Sequence, residues 1–299
     1  MIREIIKKID ILIVFIIFFL IQLSNSLLIS STWDEIGVIN TSGKFIQKLK
    51  ITITDPNNAI LEQFIGEEFY GSFVSVPVHL FTLTMFKFQT LKELAINSTY
   101  IFNEFDYYFF LRHFALNIYV FLLLFIIYKL LEKMESKIFS VWFILLLLLY
   151  PSFSGHALFN FTDIPLSLNL FLASIYFIYL FDDKKNSNIT NQQKLVLGFL
   201  ISSCLLIRFT SLIFITFLVF FRIITYILNS SKNFGLFIKD NVLIFSFSFL
   251  LFFIGTPGMW RHPILYLSKI LSYQLDNPWR GTTLTNGIFV NGSDPTASY

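Results

Sequence analysis

The chain alternates between long charge-free apolar runs and shorter polar breaks, and the runs are too long to be strands. Residues 11–30 (ILIVFIIFFLIQLSNSLLIS) carry no charged side chain, and about 20 apolar residues suffice for a helix to cross the hydrocarbon of a bilayer. The same pattern predicts spans at 111–131, 138–150, 164–181, 195–207, 209–228 and 242–255. Pro151 ends the third run, Ile164-Pro165 opens the fourth, and Thr256-Pro257-Gly258 breaks the seventh. Residues 195–228 are far too long for one crossing at about 1.5 Å per residue, so a tight hairpin with Arg208 at its tip divides them.

Residues 31–110 form a mostly polar segment. Asp55-Pro56-Asn57-Asn58 reads as a turn, and Glu67, Glu68, Tyr70 and Gly71 form an acidic-aromatic patch. Within it, residues 72–87 (SFVSVPVHLFTLTMFK) are nearly long enough to span. The stretch is short for a crossing and contains Pro77 and His79. Counting it as a span would also turn Lys129, Lys133, Lys137, Lys184 and Lys185 outward, against the positive-inside bias. It is therefore expected to lie on the outer membrane surface as an interfacial helix. The expected fold is all-α. A polytopic transmembrane bundle of about seven spans covers residues 1–256, with a long extracytoplasmic first loop at 31–110 that carries interfacial helices. An extracytoplasmic segment follows at 257–299.

Composition agrees with this pattern. The chain is 55% hydrophobic and 19% aromatic with a mean hydropathy of +0.70, which excludes an ordinary soluble domain. The net charge of +3 reports loop asymmetry and not nucleic-acid binding. A single cysteine, Cys204, excludes an internal disulfide and a Cys-rich metal site. Arg3, Lys7 and Lys8 precede the first run, as in a secretory signal peptide, and Ser24-Asn25-Ser26 resembles a cleavage site. Continuation of the run through Leu27, Leu28 and Ile29 fits an uncleaved anchor better, with the N-terminus cytoplasmic in an inner-membrane protein. On that topology the short cytoplasmic segments collect twelve cations, from Arg3 to Lys239, and the short outer turns hold only Arg208.

The polar residues left near the outer face converge. They are Asp34 and Glu35 after the first span, Arg112 and His113 at the outer mouth of the second, and His156, Asn160 and Asp163 between the third and fourth. Arg208 follows at the hairpin tip, and Arg261 and His262 after the seventh. No ionisable residue lies near the middle of a span, where a secondary transporter would place its substrate groups. A headgroup-level layer of acids and arginines suits a lipid-linked phosphate. Arginine offers phosphate a forked pair of donors and stays charged, and a carboxylate can take a proton from an attacking hydroxyl.

Several stretches resemble the GT-C superfamily of membrane glycosyltransferases, most closely the glycosyltransferase family 39 group, which includes protein mannosyltransferases and the lipid A aminoarabinose transferase. They are the span ending in Thr32-Trp33-Asp34-Glu35, the Tyr70-Gly71 step, Arg112-His113, the segment PSFSGHALFNFTDIP at 151–165, and the hairpin with Arg208. The resemblance covers about residues 10–290, and the His156-x3-Asn160-x2-Asp163-Ile-Pro165 stretch is its most specific part. It implies an inverting transfer of a sugar from a polyprenyl-phosphate donor to a glycan, lipid or protein acceptor outside the cytoplasm, without nucleic acid. Asp34 matches the likely base of the family, supported by Glu35. Asp163 matches an acid that in parts of the superfamily helps bind a divalent metal or the donor phosphate. Arg208 would hold the phosphate, with Arg112 a weaker candidate and His156 and Asn160 near the substrate. Relatives of this kind usually run well past 299 residues, so the chain is expected to be truncated within an outer loop.

Plainer roles stand beside these. Asp34 and Glu35 can simply mark a helix end in headgroup water, His113 and His156 can be interfacial hydrogen-bonders, and Arg208 can snorkel to lipid phosphate. Asp163 is also well suited to cap the helix that contains Pro165 in its first turn. A second class of function is a non-catalytic membrane protein that binds or transports a lipid-linked glycan, and a third is an inactive fragment of a transferase.

Overall fold

The computed structural model describes residues 11–28, 35–54, 72–88, 104–181, 189–228, 234–260, 262–276, 282–285 and 288–291. The described chain is helical except for one short hairpin. Its helices are α1 (Ile11–Leu28), α2 (Glu35–Thr54), α3 (Ser72–Phe86), α4 (Glu104–Met134), α5 (Lys137–Leu149) and α6 (Pro151–His156). After these come α7 (Asp163–Phe181), α8 (Asn191–Ile207), α9 (Ser211–Leu228) and α10 (Phe234–Ile254). A 3-10 turn, Pro257–Met259, leads to α11 (Pro263–Asp276). Strands β1 (Thr282–Thr285) and β2 (Ile288–Asn291) pair antiparallel with Thr285 opposite Ile288. Asn286-Gly287 between the two strands is a strong short-range hairpin signal in the sequence.

Among the described residues three helices are long and apolar enough to cross a membrane: Asp106–Met134, Asp163–Phe181 and Phe234–Ile254. The other apolar helices are shorter. Large apolar side chains lie exposed along α1 (Leu12, Ile16, Leu20), α9 (Ile213, Phe217, Phe220) and α10 (Val242, Phe249, Ile254). A water-soluble protein would bury such continuous faces, and all of this is compatible with a membrane protein.

Helix α4 is the centre of the bundle because one of its faces is apolar at helical spacing. Leu116, Val120, Leu124 and Ile127 have no exposed surface, whereas Leu122 and Ile126 on the other side are open. Where such faces meet inside a bilayer, close van der Waals fit replaces water exclusion as the driving force. Helix α1 runs antiparallel along α4, since Phe15 meets Tyr128 and Phe19 meets Phe114. Ser136 caps α5, its hydroxyl accepting from the Phe139 amide, which turns the chain sharply after α4. Thr190 and Gln193 form a capping box that starts α8. Helices α8 and α10 approach closely: a Cβ on Gly198 would sit 2.8 Å from the Ile244 carbonyl oxygen, and one on Gly255 would sit 2.7 Å from Leu206. At Gly198 the near atom is backbone, so a side chain there would force the helices apart, whereas the Leu206 side-chain tip can shift.

The segment expected as an outer loop with interfacial helices contains two described helices. Residues 35–54 form the 20-residue α2. Helix α3 packs against the bundle. Phe86 pairs with Tyr107 and Phe81 with Phe114, so α3 runs antiparallel beside the start of α4. Val74, Ser75, Val78, His79 and Thr82 make its buried stripe. The stripe mixes small, branched and polar groups, and so does not stand out in a hydropathy pattern.

Candidate functional site

The helix directions bring one set of termini together. Gln22, near the end of α1, donates to the Ser154 carbonyl of α6 at 3.1 Å. The Arg112 guanidinium, in the third turn of α4, lies 4.6 Å from the centre of the Phe161 ring, just before α7. Arg208, directly after α8, reaches Asp163, the first residue of α7.

The centre of this end is a chain of polar contacts among Asn160, Asp163 and Arg208. The Asn160 side-chain oxygen accepts from the Thr162 amide at 3.0 Å and the Asp163 amide at 2.7 Å. Asn160 thus satisfies amides that the start of α7 leaves open. The capping role expected of Asp163 therefore falls to Asn160, three residues earlier. The Asn160 amide also donates to Asp163 Oδ2 at 3.1 Å, while Arg208 Nη1 lies 2.6 Å from Asp163 Oδ1. Both carboxylate oxygens are engaged, and the Asp163 side chain is still 55% exposed and that of Arg208 33%. Arg208 is held at this point because α8 ends there: its own amide closes on Cys204 and its backbone turns extended.

Below the pair, α4, α7 and α8 are braced by a second polar group. Asn169 Nδ2 donates to the Tyr119 hydroxyl at 2.6 Å and to the Pro165 carbonyl at 2.7 Å, and the Ser203 hydroxyl donates to Asn169 Oδ1 at 3.1 Å. Asn169 and Ser203 are buried. Sequence reasoning passed over these residues, since single Asn and Ser residues within apolar helices look like ordinary composition. The available signal was that an amide at membrane depth requires a partner.

The remaining candidates are placed differently. Asp34, Tyr70, Gly71 and Arg261 lie outside the described residues. Glu35 is the first residue of α2. His156 is exposed at the end of α6 with its ring 5.5 Å from that of Phe159. Arg112 and His113 do not sit at a helix mouth: α4 begins at Glu104, which carries them two turns inside, and both are fully buried. Residues 104–110 continue the helix because Phe and Tyr there bury against α3, an interaction between distant segments. Arg112 therefore supports the Asn160–Asp163 turn from beneath, through Phe161. On α3, outside the three candidate spans, burial and then the positive charge of Arg112 hold His79 below its ordinary value. His79 Nδ1 lies 3.3 Å from the Tyr108 hydroxyl.

Among the described residues no group of three or more His, Cys, Asp or Glu side chains is placed to hold a metal. Among the described residues the donor set at Asp163 does not fit one either. This carboxylate, with one oxygen on a guanidinium and the other on an amide, is charge-compensated by protein. No family model, curated protein or solved structure matches the chain.

Proposed function

We propose that the protein transfers a sugar from a polyprenyl-phosphate donor to an acceptor hydroxyl at the outer face of the membrane, with the seven apolar runs as spans and the N-terminus in the cytoplasm. The observation that carries this reading is the exposed Arg208–Asp163 pair, ordered by Asn160, at the end of the bundle where α1, α4, α6, α7 and α8 converge. A guanidinium at that level is suited to a lipid-linked phosphate whose tail lies along the exposed apolar faces of neighbouring helices.

In the proposed reaction a carboxylate, assigned to Asp34 with Glu35 beside it in sequence, takes the proton of the acceptor hydroxyl. The acceptor oxygen then bonds to the anomeric carbon from the face opposite the phosphate. The bond from that carbon to the phosphate oxygen breaks, its electron pair leaves with the phosphate, and the anomeric configuration inverts. Arg208 balances the charge that develops on the departing phosphate. His156 and Asn160 are assigned to the same substrate.

The test is release of free polyprenyl phosphate from a labelled donor by the purified protein in lipid nanodiscs. Release that disappears in Asp34→Asn while donor binding persists supports transfer. Binding without release, in the wild type as in the variant, replaces it with the second reading, a protein that binds or moves a lipid-linked glycan.

A further inference from the structure

The disagreement between the Asp163 surroundings and a metal site leads to a specific role for this residue. We propose that Asp163 is a positioning residue that sets the guanidinium of Arg208 for a phosphate headgroup, and that it does so without a metal. The inference rests on the assignment of Arg208 to phosphate made above.

Three observations support it. Arg208 directly follows a helix that ends at Ile207, and a long side chain leaving a helix end has many rotamers to choose from. Its Nη1 is fixed on Asp163 Oδ1 at 2.6 Å, a charge-assisted contact at the short end of the usual range. Asp163 is itself oriented from its other oxygen by the Asn160 amide, and Asn160 is locked by accepting from the Thr162 and Asp163 amides. Orientation thus passes from the first turn of α7 to Asn160, then Asp163, then Arg208. A guanidinium is a rigid plane of N–H donors, and the contact of Nη1 with Asp163 orients that plane. Fixing that plane in advance removes the rotamer cost that phosphate binding would otherwise carry.

The experiment measures binding of an undecaprenyl monophosphate probe to the purified full chain in phosphatidylcholine nanodiscs, by native mass spectrometry. Arg208→Ala should weaken binding at least tenfold. Asp163→Asn and Asn160→Ala should each weaken it about three- to tenfold, and Asp163→Asn should add nothing to Arg208→Ala. Chelation with EDTA should leave the wild-type affinity unchanged. Unchanged binding in Arg208→Ala overturns the phosphate assignment itself. A tenfold loss in Arg208→Ala with no loss, or a gain, in Asp163→Asn keeps that assignment and overturns positioning, because the carboxylate would then only compete with phosphate. A wild-type affinity that EDTA lowers to that of Asp163→Asn makes the residue a metal ligand, and also overturns the proposal. Circular dichroism and melting of each variant, matched to wild type, separate these outcomes from misfolding.

Discussion

Helix α8 is tied to a neighbour by an ion pair at each of its ends, and the two pairs have different surroundings. Near its start, Lys194 meets Asp240 of α10 at 2.7 Å, with side chains only 10% and 15% exposed. Just past its end, Arg208 meets Asp163 of α7 at a similar separation, but in the open. Cations near the first pair are covered by rings: Arg222 lies 3.6 Å from the centre of Phe181 and Lys133 4.8 Å from that of Tyr179. The second pair is surrounded by amides and helix termini. Contact distance does not separate the two pairs; solvent access does. A buried pair cannot lose a partner without stranding a charge, whereas an exposed one is reached by solvent and contributes little to folding.

The largest effect should come from breaking the closed pair. Lys194→Ala leaves Asp240 nearly buried beside α8, and its loss should cost about 2–4 kcal/mol, toward the lower side of the range for fully buried pairs. Thermal unfolding in mild detergent should show a large drop in Tm. Replacing both partners, as Lys194→Leu with Asp240→Leu, should recover most of it, since no charge is then left behind. A double variant as unstable as the single would show that the tie depends on something other than charge pairing.

Next in size is the close approach that lets the closed pair form. A valine at Gly198 would drive its Cβ to 2.8 Å from the Ile244 carbonyl oxygen and 3.1 Å from Phe247 Cδ1. Backbone cannot yield as a flexible side-chain tip can, so α10 must move away, at a cost of about 1–3 kcal/mol. The expected signature is coupling: Gly198→Val should reduce the further effect of Lys194→Ala, because the separated helices no longer hold Asp240 in reach. Additive losses would mean that the two contacts are independent.

The open end depends on the layer beneath it. Asn169→Ala removes a buried amide that joins Tyr119, the Pro165 carbonyl and Ser203. About 1–2 kcal/mol should be lost, mostly because the Tyr119 hydroxyl loses the donor it accepts from, while the Ser203 hydroxyl keeps its bond to the Leu200 carbonyl. Hydrogen exchange should then rise at the start of α7 and the end of α8, and not at the Lys194 end. A rise at both ends alike would remove the distinction between them.

How much of this could be read from the chain depends on whether the signal was local. Pro151, the Asn160–Pro165 turn and the Arg208 break carry their own instructions in helix breakers, caps and charge. The structure ends α5 at Leu149, starts α7 at Asp163, and divides α8 from α9 beside Arg208. The meeting of Asp163 and Arg208, 45 residues apart, followed from placing both at one end of neighbouring helices. Helix α2, the burial of Arg112 and the Lys194–Asp240 tie were not legible. Each depends on a partner distant in sequence: α3 and the 3-10 turn for α2, the α3 rings and Phe161 for Arg112, and α10 for Lys194. Lys194 counted only as a cation outside a span, and Asp240 lies before the apolar run at 242–255 that marked the helix, which in fact begins at Phe234.

The smallest stability effect should come from Asp163→Asn. An ion pair with both side chains substantially exposed contributes about 0–1 kcal/mol, and an asparagine oxygen can still accept from the Asn160 amide or from Arg208. Melting in the same detergent should shift by less than a third of the change in Lys194→Ala. Coupling between Asp163→Asn and Arg208→Ala in stability should lie below about 0.5 kcal/mol. This near-silence is the informative result, because a pair that adds little to folding and yet is ordered on both carboxylate oxygens is ordered for another purpose. If Asp163→Asn proved as destabilising as Lys194→Ala, the open pair would be a structural tie like the closed one, and the contrast between the two ends of α8 would be lost.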